Sequence, residues 1–523
     1  MTSFLKKNYL IIFISAYSFL INWFSGNLGV MPIDTFAFFD SGFSILKNKF
    51  PIRDFWISTG LIVDYFQAGF FYIFGFNWKS YIFHASVINV IATCSFYYFL
   101  KCLNLKNFII FFYCISFATL CYPVSGTPFA YLHSYVFSLI SIFLFYIGIV
   151  KENNLIWFCS PFIFFLSFFS MQVPSAYIII ILLIFTFYYF YIFKRLDNFR
   201  FFILGSIISF LLFIIFLFLT KTPFQDIIYQ YFLFPISIGE GRITSDTSAY
   251  VRFSDQLNIK RIFGDFKFLQ FFYFSLLLIF VYSSIKKNNK LFILNLLILI
   301  TSLFFFFNQL NQANQIYIFS LIPILASIIN ANIINLKTNK RLIFIIIFIL
   351  IFSTVKYHIR YNLDRKFLDI ERLDKSFAVD ASKIDLKFKY LKWITPQFDD
   401  PNKELELINL ALKKINNDKR NKVLITHYQF FSLLLDDDLN MLNRWYVWDN
   451  NSHPVENHKY YSIYKNFVNK KIKQNKINVI YMLGSKNEMP FSKIQKYFDN
   501  LCFKNYIIVE NNFTQHEIIE CKN

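Results

Sequence analysis

Two aspartates six residues apart, Asp34 and Asp40, follow the first apolar run of the chain. Both precede the turn Pro51-Ile52-Arg53-Asp54-Phe55-Trp56. A carboxylate at a membrane surface, where the dielectric is low and cations are near, can have its pKa tuned. It can then act as a general base toward a hydroxyl or an amine. Asp34 has a second reading as the N-cap of a helical stretch at 35–46, since Asp is favoured there. On the residues alone both readings stay open. Arg53 and Asp54 can orient a ligand or simply close a local salt-bridged turn. His84 and His133 fall near the ends of later apolar runs, as hydrogen-bonded structural residues or as an acid or ligand. Asp436, Asp437 and Asp438 are consecutive and lack His or carboxylates at ligand spacing, so they read as a solvated turn and not a metal site. The residues firmly imply no cofactor and leave a divalent metal open.

The elements that must position these groups are set by composition. Of 523 residues, 56% are hydrophobic, 22% aromatic and 16% charged, with 74 Phe and 33 Tyr. Soluble domains carry about 25% charged residues, so a chain of soluble domains is excluded. Apolar runs lie at about 8–25, 81–100, 107–122, 129–150, 154–170, 174–193, 201–219, 268–285, 291–307, 316–335 and 341–357. Many are of bilayer-crossing length. The first resembles a signal peptide without a convincing cleavage site and reads as an uncleaved span. The expectation is a mainly α-helical, polytopic membrane protein of about eleven spans.

One more run, 61–76, contains Asp64 and Gln67 and decides the topology. If it does not cross, the cations Lys6, Lys7, Lys101, Lys106, Lys151, Lys194, Arg195, Arg200, Lys286, Lys287, Lys290, Lys337, Lys340 and Arg341 share one side. The short loops 122–128, 171–174 and 308–315 on the other side then carry no Lys or Arg. By the positive-inside rule the cation-rich side is cytoplasmic. Residues 61–76 become an apolar helix along the outer face. This places the N-terminus in the cytoplasm and three large pieces outside: a first loop 26–79, a middle loop 221–267 and the segment 358–523. The membrane is expected to be the bacterial inner, or plasma, membrane.

Residues 1–357 then form a membrane domain and 358–523 an extracytoplasmic domain. The latter holds 21 of the 32 acidic residues and 27 of the 52 basic ones, leaving +6 there and +14 in the membrane part. Stretches 422–428, 477–483 and 506–510 read as strands, and 404–415 and 491–503 as helices, giving a small α/β domain. Cys502 and Cys521 can pair if this domain lies in an oxidising compartment. No acidic residue falls inside the eleven runs, which argues against an ion-coupled transporter. The formal charge of +20 reports topology and needs no nucleic acid. Membrane lipids are the expected surroundings.

An Asp just after the first span, a short helix and a turn ending Pro51 to Trp56 resemble the first outer loop of the C-superfamily (GT-C) of membrane glycosyltransferases. That superfamily includes the protein O-mannosyltransferases and the lipid A aminoarabinose transferases, the family 39 type. The stretch from Thr59 through Asp64 and Gln67 to Gly75 is similar to its juxtamembrane helix. Weaker similarities follow in Pro123–Val124–Ser125–Gly126 up to His133, in Ser170–Met171–Gln172–Val173–Pro174, in Phe234–Pro235 up to Arg242, and in Gln315 to Pro323. The resemblance covers most of 1–357. Asn48 stands where relatives usually have Gly, and Met171 where they often have Lys.

The resemblance implies a glycosyltransferase moving a sugar from a polyprenyl-phosphate donor to a lipid, glycan or protein acceptor on the outer face, with inversion. Asp34 matches the family's general base, with Asp40 the alternative. Arg53, Asp54, His84, His133, Gln172 and Arg242 become substrate-binding candidates, Arg242 or Arg252 facing the leaving phosphate. A polymerase or ligase of lipid-linked surface glycans, or a flippase for them, is the alternative function.

Overall fold

A computed structural model describes residues 2–244, 264, 266–285, 291–312, 317–337, 341–448, 450–484 and 490–521. The chain is mainly helical, with a small sheet in its C-terminal part. Among the described residues eight helices are long and apolar enough to cross a membrane: Asn8–Gly26, Trp78–Cys102, Ala130–Lys151, Gln172–Phe193, Leu196–Thr220, Lys267–Ile285, Phe292–Asn311 and Arg341–Leu368. Their outward residues include Phe210, Phe218 and Phe348, exposed by 63%, 83% and 71%. Apolar surface of this extent needs a non-aqueous neighbour. The chain is an integral membrane protein.

Three runs expected to span form shorter helices, Asn107–Leu120, Asn154–Ser170 and Leu321–Asn335, of 14, 17 and 15 residues. A perpendicular crossing takes roughly 20. The ambiguous run is the 14-residue helix Leu61–Phe74. Gly60 caps it at φ +74, and a Cβ there would lie 2.6 Å from the Phe38 ring. Only glycine meets both demands.

The chain divides into two compact units. The first comprises Met1–Asn27, Ile82–Ile215 and Tyr250–Arg372. Some of its buried polar side chains pair with one another: Asn295 and Asn332 exchange amide hydrogen bonds of 2.9 Å in both directions. Asn22 donates to Ser86 Oγ at 3.0 Å. Interhelical hydrogen bonds between uncharged groups are the ordinary polar contact inside a membrane.

The second unit comprises Leu28–Tyr81, Phe216–Ala249 and Leu373–Asn523. This differs from a division at 357/358: residues 358–372 fold with the helices, and parts of both loops fold with the tail. The reason is backbone pairing. Val30 N–H donates to Ile394 O at 3.0 Å, Trp56 N–H to Leu442 O at 2.9 Å, and Arg444 N–H to Trp56 O at 3.2 Å. The unit's core joins Trp56 and Phe234 from the loops to Val423, Tyr446, Tyr464 and Ile480 from the tail.

Among the described residues the tail has six strands. A two-stranded pair joins β1 (Val379–Asp380) to β2 (Lys392–Trp393); a four-stranded sheet is formed by β3 (Lys422–Thr426), β4 (Val479–Leu483), β5 (Cys502–Val509) and β6 (Phe513–Ile519). The larger sheet runs β3-β4-β6-β5, with β3 and β4 parallel and the rest antiparallel. β3 and β4 are buried along their length, which accounts for their continuous apolar runs. Helix Pro401–Asn417 opens with Pro401 at its first turn and Asp400 as cap, the Asp400 carboxylate accepting from Asn402 N–H at 2.9 Å. Leu405, Ile408, Ala411 and Ile415 form its buried face.

Two expected helices differ. The run 491–503 is helical only over Phe491–Gln495, because Cys502 already pairs with Ile519 across β5 and β6. The stretch 35–46 is split into Pro32–Thr35 and Phe39–Leu46. Cys502 and Cys521 form a disulfide.

Candidate active site

Five of the eight candidate residues fall in the second unit: Asp34, Asp40, Arg53, Asp54 and Arg242. His84, His133 and Gln172 fall in the first.

Asp34 lies within the four-residue helix Pro32–Thr35 and is half-buried. Its N–H donates to Met31 O at 3.0 Å, while Thr35 Oγ1 accepts from Met31 N–H at 3.0 Å. The cap position of the next helix, Phe39–Leu46, is Phe38. Asp34 is therefore not the cap of a 35–46 helix.

Asp40 is buried, and its two oxygens accept from Ser432 N–H at 3.1 Å and Leu433 N–H at 2.9 Å. It does from a distant segment what an N-cap side chain does locally, holding the start of helix Phe431–Leu435. Burial raises its pKa to about 7, against the lowering effect of those two N–H groups.

Arg53 and Asp54 make the salt-bridged turn. Arg53 Nε donates to Asp54 Oδ2 at 2.8 Å, Nη1 to Thr220 O at 2.7 Å and Nη2 to Asn48 O at 2.7 Å. The guanidinium also covers the Phe50 ring at 4.6 Å. Asp54 Oδ1 faces Lys471 Nζ at 3.2 Å. Burial pulls the Asp54 carboxyl upward, but Arg53, the Phe50 N–H and Lys471 together hold it below the usual range. Asn48 sits at φ +63, a left-handed position that Asn tolerates as glycine does.

Arg242 lies on helix Phe234–Thr244 and donates from Nη2 to Asn451 Oδ1 at 3.0 Å. Ser237 and Glu240 of the same helix meet His458 at 3.0 Å and Lys459 at 2.7 Å. Arg252 and Gln315 lie outside the described residues.

In the first unit, His84 and His133 are both fully buried, with their Nε2 atoms 2.9 Å apart. His133 Nδ1 lies 2.7 Å from Tyr122 Oη, which accepts from Phe129 N–H at 3.0 Å. The distances make a hydrogen-bonded Tyr122–His133–His84 chain. Gln172 opens helix Gln172–Phe193 and its carbonyl accepts from Ser175 Oγ at 3.0 Å.

The residues missed by sequence reasoning are Asp64 and its partner. Asp64 is fully buried and accepts from Ser41 Oγ and, at 2.6 Å, from Arg444 Nη1. Arg444 also donates to Thr59 O and covers the Phe38 ring at 4.5 Å. Burial raises the Asp64 pKa to about 6, with Arg444 and Ser41 opposing it. A signal was present: Asp64 follows Leu61-Ile62-Val63, and a carboxylate in such a helix must find a cation. Which cation was not readable. The acidic run Asp436–Asp438 faces lysines, Lys47, Lys422 and Lys49 in turn, at 2.8, 3.2 and 3.2 Å. Among the described residues no group of three His, Cys, Asp or Glu is arranged to hold a metal.

No protein-family model matches this chain, and no curated protein matches it either. The glycosyltransferase resemblance rests on the order and chemistry of its own motifs.

Proposed function

We propose that this protein is a GT-C-like membrane glycosyltransferase. It moves a sugar from a polyprenyl-phosphate donor to a lipid, glycan or protein acceptor at the extracytoplasmic face. Asp34 removes the acceptor proton, the acceptor oxygen or nitrogen attacks the anomeric carbon with inversion, and lipid phosphate leaves toward Arg242. The reading takes eleven crossings, with the three shorter apolar helices crossing where the bilayer is thinned or where neighbouring helices cover their ends. The N-terminus is cytoplasmic and the tail extracytoplasmic in the inner membrane. The Lys/Arg distribution supports this sidedness, as does the Cys502–Cys521 disulfide, since such bonds persist in oxidising compartments.

One observation carries the reading. The loop bearing Asp34 folds into a single compact unit with the middle-loop helix bearing Arg242 and with the tail. A base and a phosphate-binding cation on separate loops need such a common scaffold. In the same loop Asp40, Asp54 and Asp64 hold backbone N–H groups or cations, which suits them to scaffolding.

The test is mass spectrometry of lipids and surface glycans in cells making the wild type, Asp34→Asn or no protein. Cells without the protein should accumulate a polyprenyl-phosphate sugar and lose one glycan modification. Asp34→Asn should reproduce that phenotype at normal protein level, with transfer reduced ~10²–10⁴-fold, the usual contribution of a general base. A wild-type profile in Asp34→Asn removes Asp34 from the mechanism. An unchanged profile without the protein removes glycosyl transfer.

A further inference from the structure

Three helices of the first unit, Lys267–Ile285, Leu321–Asn335 and Arg341–Tyr357, enclose a groove of about 440 Å³. The middle helix packs against both others, and its buried Ile329 and Ile333 form the floor. Ile279 lines one wall, Ile345 and Ile349 the other. Apart from the hydroxyls of Ser275 and Tyr282, every lining side chain is apolar. Such a space suits a hydrocarbon chain.

One end of the groove is closed by a contact between the flanking helices. The Phe268 ring lies 5.8 Å from the Phe352 ring and 6.1 Å from the Tyr357 ring, and Lys356 Nζ covers Phe268 at 5.5 Å. The two helices part from there toward Tyr282 and Leu342. A lipid chain lying along the groove therefore ends against the aromatic contact, with its head group at the other end.

That other end carries two cations. Lys337 is bonded to Leu336 and Arg341 to Leu342, both of which line the groove, and both cations are exposed. Long basic side chains at the ends of membrane helices run along apolar surface to the head-group level. The three helices contain no Asp or Glu to oppose them. An apolar helix of a partner would cover the groove and leave the cations unmatched. An anionic head group matches them, as in basic pockets between membrane helices.

We propose that this groove holds one acyl chain of an anionic glycerophospholipid, whose phosphate meets Lys337 and Arg341. On the proposed topology this is the cytoplasmic end, and the lipid comes from the inner leaflet. Binding itself depends neither on that topology nor on glycosyl transfer.

The test strips lipid from the purified full chain in detergent. Phosphatidylglycerol, phosphatidylcholine with the same acyl chains, and a polyprenyl phosphate are then titrated separately, with bound lipid counted by native mass spectrometry. One phosphatidylglycerol should bind saturably and more tightly than phosphatidylcholine. Lys337→Gln and Arg341→Gln should each weaken it about fivefold, the worth of one cation near a membrane surface, and leave phosphatidylcholine unchanged. Ser275→Phe and Ile345→Trp fill the groove from residues that are partly or largely exposed. Each should weaken both phospholipids, with a melting temperature near wild type. Absence of saturable phosphatidylglycerol binding overturns the proposal, as does equal binding of the two phospholipids. Binding indifferent to both charge variants or to both filling variants also overturns it, as does tight binding of the polyprenyl phosphate in place of phosphatidylglycerol.

Discussion

Arg444 Nη1 lies 2.6 Å from Asp64 Oδ2, and the two side chains are 5% and 0% exposed. The pair joins a helix of the first loop to the tail, 380 residues on in sequence, inside one compact unit. Removing one member leaves a buried charge uncompensated, which costs about 3–5 kcal/mol. Arg444→Met should therefore lower the melting temperature of the purified protein and expose the tail to protease. Arg444→Met with Asp64→Leu should recover much of that loss. A single variant as stable as wild type would mean that the pair contributes nothing to the unit.

Asp40 predicts a pH dependence. Its folded pKa, raised to about 7 by burial, lies above the unfolded carboxyl value of about 3.9. The protonated form is thus favoured by folding, and the stabilisation is present below about pH 4 and lost as pH rises through about 7. Thermal unfolding should shift to lower temperature between pH 5 and pH 8, and the slope should shrink in Asp40→Asn. That variant keeps one acceptor oxygen for Leu433 or Ser432, so it should lose about 1 kcal/mol, the worth of one hydrogen bond. An unchanged slope in Asp40→Asn would place the titration elsewhere.

The disulfide predicts sidedness. Cys502 and Cys521 are 19 residues apart, and closing a loop of about that length is worth roughly 3 kcal/mol. Alkylation of the native protein before and after reduction should release two thiols, and Cys521→Ser should destabilise the tail by about 2–4 kcal/mol. Alkylation of Cys502 and Cys521 themselves without reduction, read by peptide mass against the five other cysteines, would count against an extracytoplasmic tail.

Helix Leu61–Phe74 ends in Tyr72, Ile73 and Phe74, exposed by 81%, 69% and 48%, a tip suited to the membrane interface. Lys79, just beyond it, is exposed. A cysteine placed there in a background lacking the other thiols should react with an impermeant reagent added outside intact cells. Labelling only after permeabilisation would make this helix a crossing and invert every later loop.

The sequence by itself determined the class of protein and most of its helices. Hydropathy is a local, additive property, and a run of about 20 apolar residues has few stable places outside a bilayer. β3 and β4 were legible for the same reason, as unbroken apolar runs. The salt-bridged turn at Arg53 and Asp54 was legible as one of two readings, because its partners are neighbours in sequence. What only the tertiary structure decided is which distant groups meet. Asp40 reads like Asp34 in sequence, yet its oxygens cap a helix 392 residues away. Asp64 announced a missing cation without naming Arg444, and β6 became visible only through its pairing with β4 and β5. The loops and the tail fold together because backbone hydrogen bonds and a shared aromatic core join them, and neither leaves a periodic trace in the chain.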